Sequence, residues 1–125
     1  MSTQEVAEKV VELVRQQAWY KALDTLYDKD IVSVEASASE GESAEKRGID
    51  QVRGKTVWWE NNMEVHSAKV GGPFVAGDKF VVQFDVDVTE KASKKRIQMS
   101  EVGIYTVKDG RVSREEFLPL AQKKE

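Results

Sequence analysis

The residues of this chain that could perform acid–base chemistry stand singly among apolar neighbours in its second half. They are His66, Asp85, Asp87, Glu101 and Glu115. In a half-buried antiparallel sheet apolar and polar side chains alternate, and a polar group on the buried side is costly unless it is paired. These residues therefore lie either on the solvent-facing side of a sheet or around a pocket.

Alternation along a predicted strand over residues 97–107 singles out Glu101. With a period of two, Met99, Glu101, Tyr105 and Val107 share one face of this strand. If that face is buried, desolvation raises the pKa of Glu101, and Tyr105 is placed to donate a hydrogen bond. In the alternative interpretation the intervening residues form the inner face and Glu101 is solvated.

Three other candidates have weaker positional signals. His66 is the only histidine, and alternation places it on the same face as Val70. An imidazole exchanges protons near neutral pH, although strand histidines also fill structural or exposed positions. Asp87 lies opposite the apolar stripe of its strand, which favours a solvated outer face unless a helix or a second subunit covers it. Glu115 and Glu116 are adjacent, so only one of them points inward.

Composition argues against several kinds of site. The chain has no cysteine, one histidine and no glycine-rich phosphate-binding motif, so we expect neither a metal site nor a bound cofactor. No serine stands in a G-x-S-x-G elbow. The lack of cysteine suits a cytoplasmic protein, and the polar N-terminal segment does not have the layout of a signal peptide.

Neither nucleic acid nor a membrane is expected among the partners. The net charge is −3, which disfavours a nucleic-acid surface. The basic tip that contains Lys91, Lys94, Lys95 and Arg96 has no interleaved aromatic side chains, so it is interpreted as a solvated turn. A run of about 18 apolar residues, which a membrane span requires, does not occur in the sequence.

Helices precede most of the strands in the predicted order of elements. Ser2 and Glu5 match a capping box, and Val6 and Val10 begin an apolar stripe that breaks at residues 16–17. The later predicted elements are a helix over 18–27, a strand over 31–35, a polar loop over 36–48, a helix over 48–61, a strand over 65–70 that ends in a Gly-Gly-Pro turn, and strands over 79–89, 97–107 and 112–118.

This order predicts one α+β domain over residues 1–125, with three helices on one face of a curved antiparallel sheet. In the third helix, Val52, Thr56 and Trp59 share a face. Trp59 is therefore interpreted either as core and rim filling or as one wall of a ligand site.

Several local patterns resemble the SnoaL-like branch of the nuclear transport factor 2-like superfamily. They are the turn Leu26-Tyr27-Asp28-Lys29-Asp30 before a strand that ends at Glu35, the helix start Gly48-Ile49 after a polar loop, and the hairpin Tyr105-x-Val107-x-x-Gly110-Arg111-Val112. The resemblance covers nearly the whole chain. It implies a cone, in which a curved sheet wraps around helices and an apolar cavity opens at one end.

The resemblance also implies site residues. Glu35 matches the position of the base in ketosteroid isomerases, whereas their two hydrogen-bond donors fall near Val10 and Gly103 in this chain. Steroid isomerisation is therefore not implied. In SnoaL-like cyclases a cavity acid transfers protons, a role for which Asp87 or Glu101 is available.

Three functions remain open from the sequence. The first is a homodimeric pocket protein that binds a small apolar or amphipathic molecule. The second is a cofactor-free isomerase, cyclase or dehydratase, and the third is an interaction module whose cone is filled by its own side chains. An open cavity of roughly 300 Å³ or more would favour the first two. The candidates for catalysis are His66, Glu101, Asp87 and Glu35, and those for ligand contact are Trp59, Tyr105 and Glu115.

Overall fold

A computed structural model describes residues 1–37, 41 and 43–120. Residues 38–40 and 42 of the predicted polar loop, and residues 121–125 of the predicted domain, lie outside the described part of the chain. The helices are α1 (Thr3–Arg15), α2 (Trp19–Leu26) and α3 (Ile49–Asn62). The strands are β1 (Tyr27–Val34), β2 (Glu45–Arg47), β3 (Met63–Ala76), β4 (Lys79–Glu90), β5 (Lys95–Lys108) and β6 (Arg111–Pro119).

The capping box predicted at the start of α1 is present. The Oγ of Ser2 accepts a hydrogen bond from the Glu5 N–H at 3.1 Å, and the Glu5 carboxylate accepts one from the Ser2 N–H at 3.2 Å. These two bonds satisfy backbone donors that the first helical turn would otherwise leave free. Val6 and Val10, which begin the apolar stripe of α1, are fully buried in the hydrophobic core.

The six strands form one sheet in the order β2-β1-β6-β5-β4-β3. Neighbouring strands are antiparallel except for β1 and β6, which run parallel. The sheet is therefore mixed, within the predicted α+β cone. The parallel pair sets Ser33 opposite Glu115 and Val34 opposite Glu116, so that the first and last long strands supply neighbouring side chains.

The interior of the cone is packed with apolar and aromatic side chains. Phe80 and Tyr105 stack at 4.7 Å between ring centroids with their planes 5° apart. On β5, Gly103, Tyr105 and Val107 are buried, so the face that also includes Glu101 is the inner one. The first of the two interpretations of this strand is thus the one that the structure shows.

The third strand differs from its predicted form in two ways. It continues to Ala76 instead of turning at Gly71-Gly72-Pro73, and its pairing with β4 shifts register there, next to a cis peptide bond before Pro73. A second register shift lies between Val65 and Ser67. Because the pairing has an extra residue at this bulge, alternation is interrupted there.

The bulge corrects the predicted orientation of His66. Val65 pairs with the buried Val88, whereas Ser67 pairs with Asp87, so His66 is the extra residue between two pairs that belong to opposite faces. His66 is exposed and contacts Thr89 on the outer side of the sheet. The prediction that it shares a face with Val70 is therefore wrong.

In the described ranges, no helix is long and apolar enough to cross a membrane.

Candidate functional site

A buried carboxylate, Glu115, lies at the centre of the polar side chains inside the cone. Glu115 is only 4% exposed. The two carboxylate oxygens accept hydrogen bonds from the Tyr27 hydroxyl at 2.9 Å and from the Ser33 hydroxyl at 2.9 Å. Burial raises the pKa of Glu115, while the charge of Lys55 and these two hydrogen bonds oppose the increase. Of the adjacent acids, Glu115 is thus the one that points inward.

Lys55 links this buried carboxylate to the end of β1. Its ammonium donates a hydrogen bond to the Ser33 Oγ at 2.7 Å and forms an ion pair with Oε1 of Glu35 at 2.5 Å. The same ammonium lies 5.2 Å from the ring centroid of Phe117. The Lys55 and Glu35 side chains are 21% and 40% exposed, so solvent reaches this part of the cluster.

Glu101 is the carboxyl group in the cluster whose pKa is raised to near neutral pH. Desolvation raises its pKa from 4.5 to about 7, and the negative charges of Glu35 and Glu115 act in the same direction. The positive charge of Lys55 acts against them. A carboxyl group of this kind is populated in both protonation states at neutral pH.

Two buried tyrosines complete the cluster. Burial and the nearby charge of Glu115 raise the pKa of Tyr27 and of Tyr105 well above the ordinary value. Both hydroxyl groups therefore remain protonated at neutral pH. Tyr27 interacts with the Tyr105 hydroxyl as well as with Glu115, so the buried polar groups are connected to one another. The Phe117 ring meets the Tyr105 ring edge-on at 6.1 Å.

Gly103 is required where these rings approach β5. A Cβ atom at this position would lie 2.8 Å from Cε2 of Tyr105 and 3.1 Å from Cε1 of Phe117. These distances leave no room for a side chain unless the rings move. The space beside Gly103 is thus filled by the Tyr105 ring.

The cluster has two layers, which we name by their exposure. The floor is fully or almost fully buried, whereas the rim is reached by solvent. The floor consists of Tyr27, Ser33, Tyr105 and Glu115, and the rim consists of Glu35, Lys55 and Glu101. The floor offers hydroxyl and carboxyl groups that are already paired, and the rim offers one carboxyl group that can exchange a proton.

Four of the predicted site residues are brought together here: Glu35, Glu101, Tyr105 and Glu115. Trp59 lies one helical turn after Lys55 on α3 and is half-buried. His66 and Asp87 lie instead on the outer face. Asp87 accepts two hydrogen bonds from the Arg96 guanidinium, at 2.9 and 2.8 Å, and these bonds lower the pKa of Asp87.

Three members of the cluster were missed by sequence reasoning: Tyr27, Ser33 and Lys55. For Ser33 a signal was present, because Ile31, Ser33 and Glu35 alternate inward from the buried Ile31. Lys55 falls three residues after Val52, on the buried side of α3, which is the position that could have revealed it.

Two surface depressions lie elsewhere on the molecule. One, of about 410 Å³, is formed by α1 and Pro73. The other, of about 280 Å³, lies on the outer face of β3, β4 and β5, where Asp85 and Asp87 line it. Neither includes a residue of the floor or the rim. Over residues 1–37, 41 and 43–120, no three His, Asp or Glu side chains are grouped so as to hold a metal ion.

Comparison with known proteins identifies the family of this domain. The family model described as a SnoaL-like domain matches residues 1–118. The chain belongs to the SnoaL-like domain family. A relative of known structure, a Mesorhizobium loti protein provisionally named a SnoaL-like polyketide cyclase, is 42% identical, with a TM-score of 0.87 over 94% of this chain and 99% of that chain. No curated protein matches the sequence.

More distant structures share the fold of this SnoaL-like domain. A Bacillus subtilis protein provisionally named an isomerase is 15% identical, with a TM-score of 0.79, 96% of this chain covered and 90% of that one. A Xanthomonas campestris protein of unknown function with a cystatin-like fold is 13% identical, with a TM-score of 0.73, 98% of this chain covered and 93% of that one. The family match and these structures confirm the SnoaL-like resemblance and the predicted α+β fold class.

Proposed function

We propose that this SnoaL-like domain binds a small apolar or amphipathic molecule at its rim and uses Glu101 to transfer a proton without a cofactor. The observation that supports the proposal best is a carboxyl group with a pKa of about 7 on the inner face of the cone. A general acid–base group is most effective when its pKa lies near the working pH, because both of its protonation states are then available.

Proton transfer next to a carbonyl group is the reaction class that suits this arrangement. Ionised Glu101 would remove a proton from the carbon beside the carbonyl and leave an enolate. The protonated acid would then give the proton to another carbon in an isomerisation, to the new alkoxide in an aldol cyclisation, or to the departing hydroxyl group in a dehydration, so the number of protons is conserved. Isomerisation, aldol cyclisation and dehydration all include such a step. The provisional names of two structural relatives, a polyketide cyclase and an isomerase, belong to the same reaction class.

The surroundings of the rim favour a ligand with an apolar body. Phe117 lies beneath the Lys55 ammonium and contacts Phe84 at 6.4 Å between ring centroids. Phe84 stands opposite Glu101 on the neighbouring strand. An aromatic or alicyclic ligand placed against these rings would present its carbonyl group to Glu101 and bury apolar surface at the same time.

An interaction module is the second candidate function. Its support is the aromatic packing of Phe80, Phe84, Tyr105 and Phe117 inside the cone, together with the location of both surface depressions outside the floor and rim. In this case the polar cluster would serve stability alone. The two candidates predict opposite results in a test with a small ketone.

We also propose a cytoplasmic homodimer that meets through the outer face of its sheet. Val81, Val102, Ile104 and Leu118 pair across β4, β5 and β6 and form an apolar patch there. Such patches are typical of surfaces that bind another protein. The test is the molar mass in solution, measured by light scattering for the wild type and for Ile104→Glu. A monomeric wild type would contradict this proposal.

Exchange of deuterium into 2-tetralone, an apolar ketone with acidic α-hydrogens, tests the proposed proton transfer. In D₂O the wild-type protein should accelerate the exchange followed by proton NMR. Glu101→Gln should lower the acceleration by about 100-fold or more, because a positioned general base contributes about 10²–10⁴-fold. Glu64→Gln is the matched control, because this exposed carboxylate on β3 lies outside the cluster.

His66→Ala is a second comparison, since the imidazole lies on the outer face. This variant should keep the wild-type rate. If the wild type does not accelerate exchange, or if Glu101→Gln exchanges as fast as the wild type, the proposed role of Glu101 is wrong. Failure of the wild type to bind the ketone at all would favour the interaction module.

A further inference from the structure

The Lys55 ammonium is already engaged by three partners. An ammonium group has three N–H donors. One is directed to the Ser33 Oγ at 2.7 Å, one to Oε1 of Glu35 at 2.5 Å, and the remaining side of the group lies over the Phe117 ring at 5.2 Å. The distance to the ring is within the range of a cation–π contact. A ligand anion would have to displace one of these partners.

Apart from Lys55, the charged groups that face the rim are carboxyl groups. Lys55 on α3 is the cation that acts on Glu101, and Glu35, just after β1, neutralises it directly. Glu115 on β6 and Glu101 itself on β5 add two further carboxyl groups, and the Tyr105 hydroxyl is neutral. An anionic ligand would therefore meet carboxylates without an unpaired cation, which is a repulsive arrangement.

We infer that the rim selects ligands that carry an uncharged carbonyl group and rejects the corresponding carboxylates, because Glu35 and Ser33 occupy the ammonium of Lys55. This inference rests on the proposed function, since it concerns the ligand of the same site. It assigns to Glu35 the role of a specificity-determining residue. Removing its charge while keeping its shape should leave Lys55 with an uncompensated positive charge and convert the site into one that accepts carboxylates.

Two planar probes of matched size test this selectivity. 2-Acetylnaphthalene carries a ketone, and 2-naphthoate carries a carboxylate on the same ring system. Affinities are measured at pH 7.5 by ligand-observed NMR. The wild type should bind the ketone at least about tenfold more tightly than the carboxylate, the ratio expected for one charge-dependent interaction.

Glu35→Gln should gain affinity for 2-naphthoate by about tenfold or more, because the carboxylate then pairs with the released ammonium. The double variant Glu35→Gln/Lys55→Met should lose this gain, since the cation that causes it is gone. Glu64→Gln removes a carboxylate outside the cluster and should change neither affinity. If Glu35→Gln does not fold, Glu35→Ala removes the same charge at this 40% exposed side chain and should raise 2-naphthoate affinity in the same way.

The outcomes separate this inference from the proposed function. If the wild type binds both probes equally, or binds 2-naphthoate more tightly, the inference is overturned while ligand binding stands. A gain in Glu35→Gln that persists in the double variant also overturns it, because Lys55 would not be the cause. If neither probe binds, the proposed ligand site itself is absent and the inference fails with it.

Discussion

Glu101→Gln should stabilise the folded protein at alkaline pH. In the folded state the pKa of Glu101 is about 7, against an ordinary value of 4.5. Between these values the folded protein holds a proton that the unfolded chain has released, so stability is lost as the pH rises through this window. The difference corresponds to about 3.4 kcal/mol. Screening by solvent at this partly exposed side chain reduces it to about 2 kcal/mol.

The measurement is urea unfolding of the wild type and the variant at pH 5 and at pH 8. The free energy of unfolding of Glu101→Gln, relative to the wild type, should increase by about 2 kcal/mol between the two pH values. Burial also raises the pKa of Glu115, but this desolvation is present in both proteins and is removed by the subtraction. Glu64→Gln should show a difference that does not vary with pH.

A pH-independent difference between Glu101→Gln and the wild type would refute this reasoning. It would mean that Glu101 titrates alike in the folded and unfolded states, and that the inner face of β5 does not desolvate it. A difference of the opposite sign would mean that the positive charge of Lys55 outweighs desolvation and the two neighbouring carboxylates. Either result would also remove the main support for proton transfer by this residue.

Two further substitutions test the floor of the cluster through the free energy of urea unfolding. Tyr27→Phe removes a hydrogen bond to the buried Glu115 and should cost about 1–3 kcal/mol, whereas Tyr20→Phe removes an exposed hydroxyl and should cost much less; equal costs would contradict the assigned burial. Gly103→Ala should destabilise by about 1–3 kcal/mol because its methyl group meets an aromatic ring. Gly54→Ala is the control, because Gly54 lies in mid-helix with open space around it, and it should stabilise the protein by about 0.4–1 kcal/mol. If Gly103→Ala were as stable as the wild type, the aromatic rings would have moved to accommodate the methyl group.

Local pattern was sufficient to predict the parts of this fold that depend on neighbours in the chain. The capping box at Ser2 and Glu5 and the alternation that puts Glu101 and Tyr105 on one face are both found in the structure. On β5, alternation is regular because the strand pairs with β4 without a register shift. Its side chains therefore follow the period of two over the whole predicted range.

The prediction for His66 failed because a bulge is a property of two paired strands. The extra residue between Val65 and Ser67 becomes visible only when β3 is aligned with β4. The extended course of β3 through Gly71-Gly72-Pro73 has the same origin. Composition at that point is typical of a turn, whereas pairing with β4 resumes after the irregularity and carries the strand to Ala76.

Lys55 shows why the candidate site could be predicted only in part. A lysine on a helix is usually solvated, so its position after Val52 on the buried side of α3 does not by itself predict an ion pair. Its partners are Ser33 on β1, Glu35 just after β1, and Phe117 near the end of the chain. The local sequence predicted the carboxyl groups, but it could not predict the cation that pairs with one of them.

Because β1 pairs with β6, the polar cluster forms only when residues far apart in the chain come together. Tyr27 and Glu115 are separated by 88 positions along the chain, and Ser33 and Glu115 by 82. Contacts of such long sequence separation require closure of most of the polypeptide, which is entropically expensive. A shortened chain without β6 would retain Glu35, Lys55 and Glu101 but would lose Glu115, the carboxylate that binds the hydroxyl groups of Tyr27 and Ser33. A small molecule bound at this cluster would therefore indicate that β1 and β6 have paired.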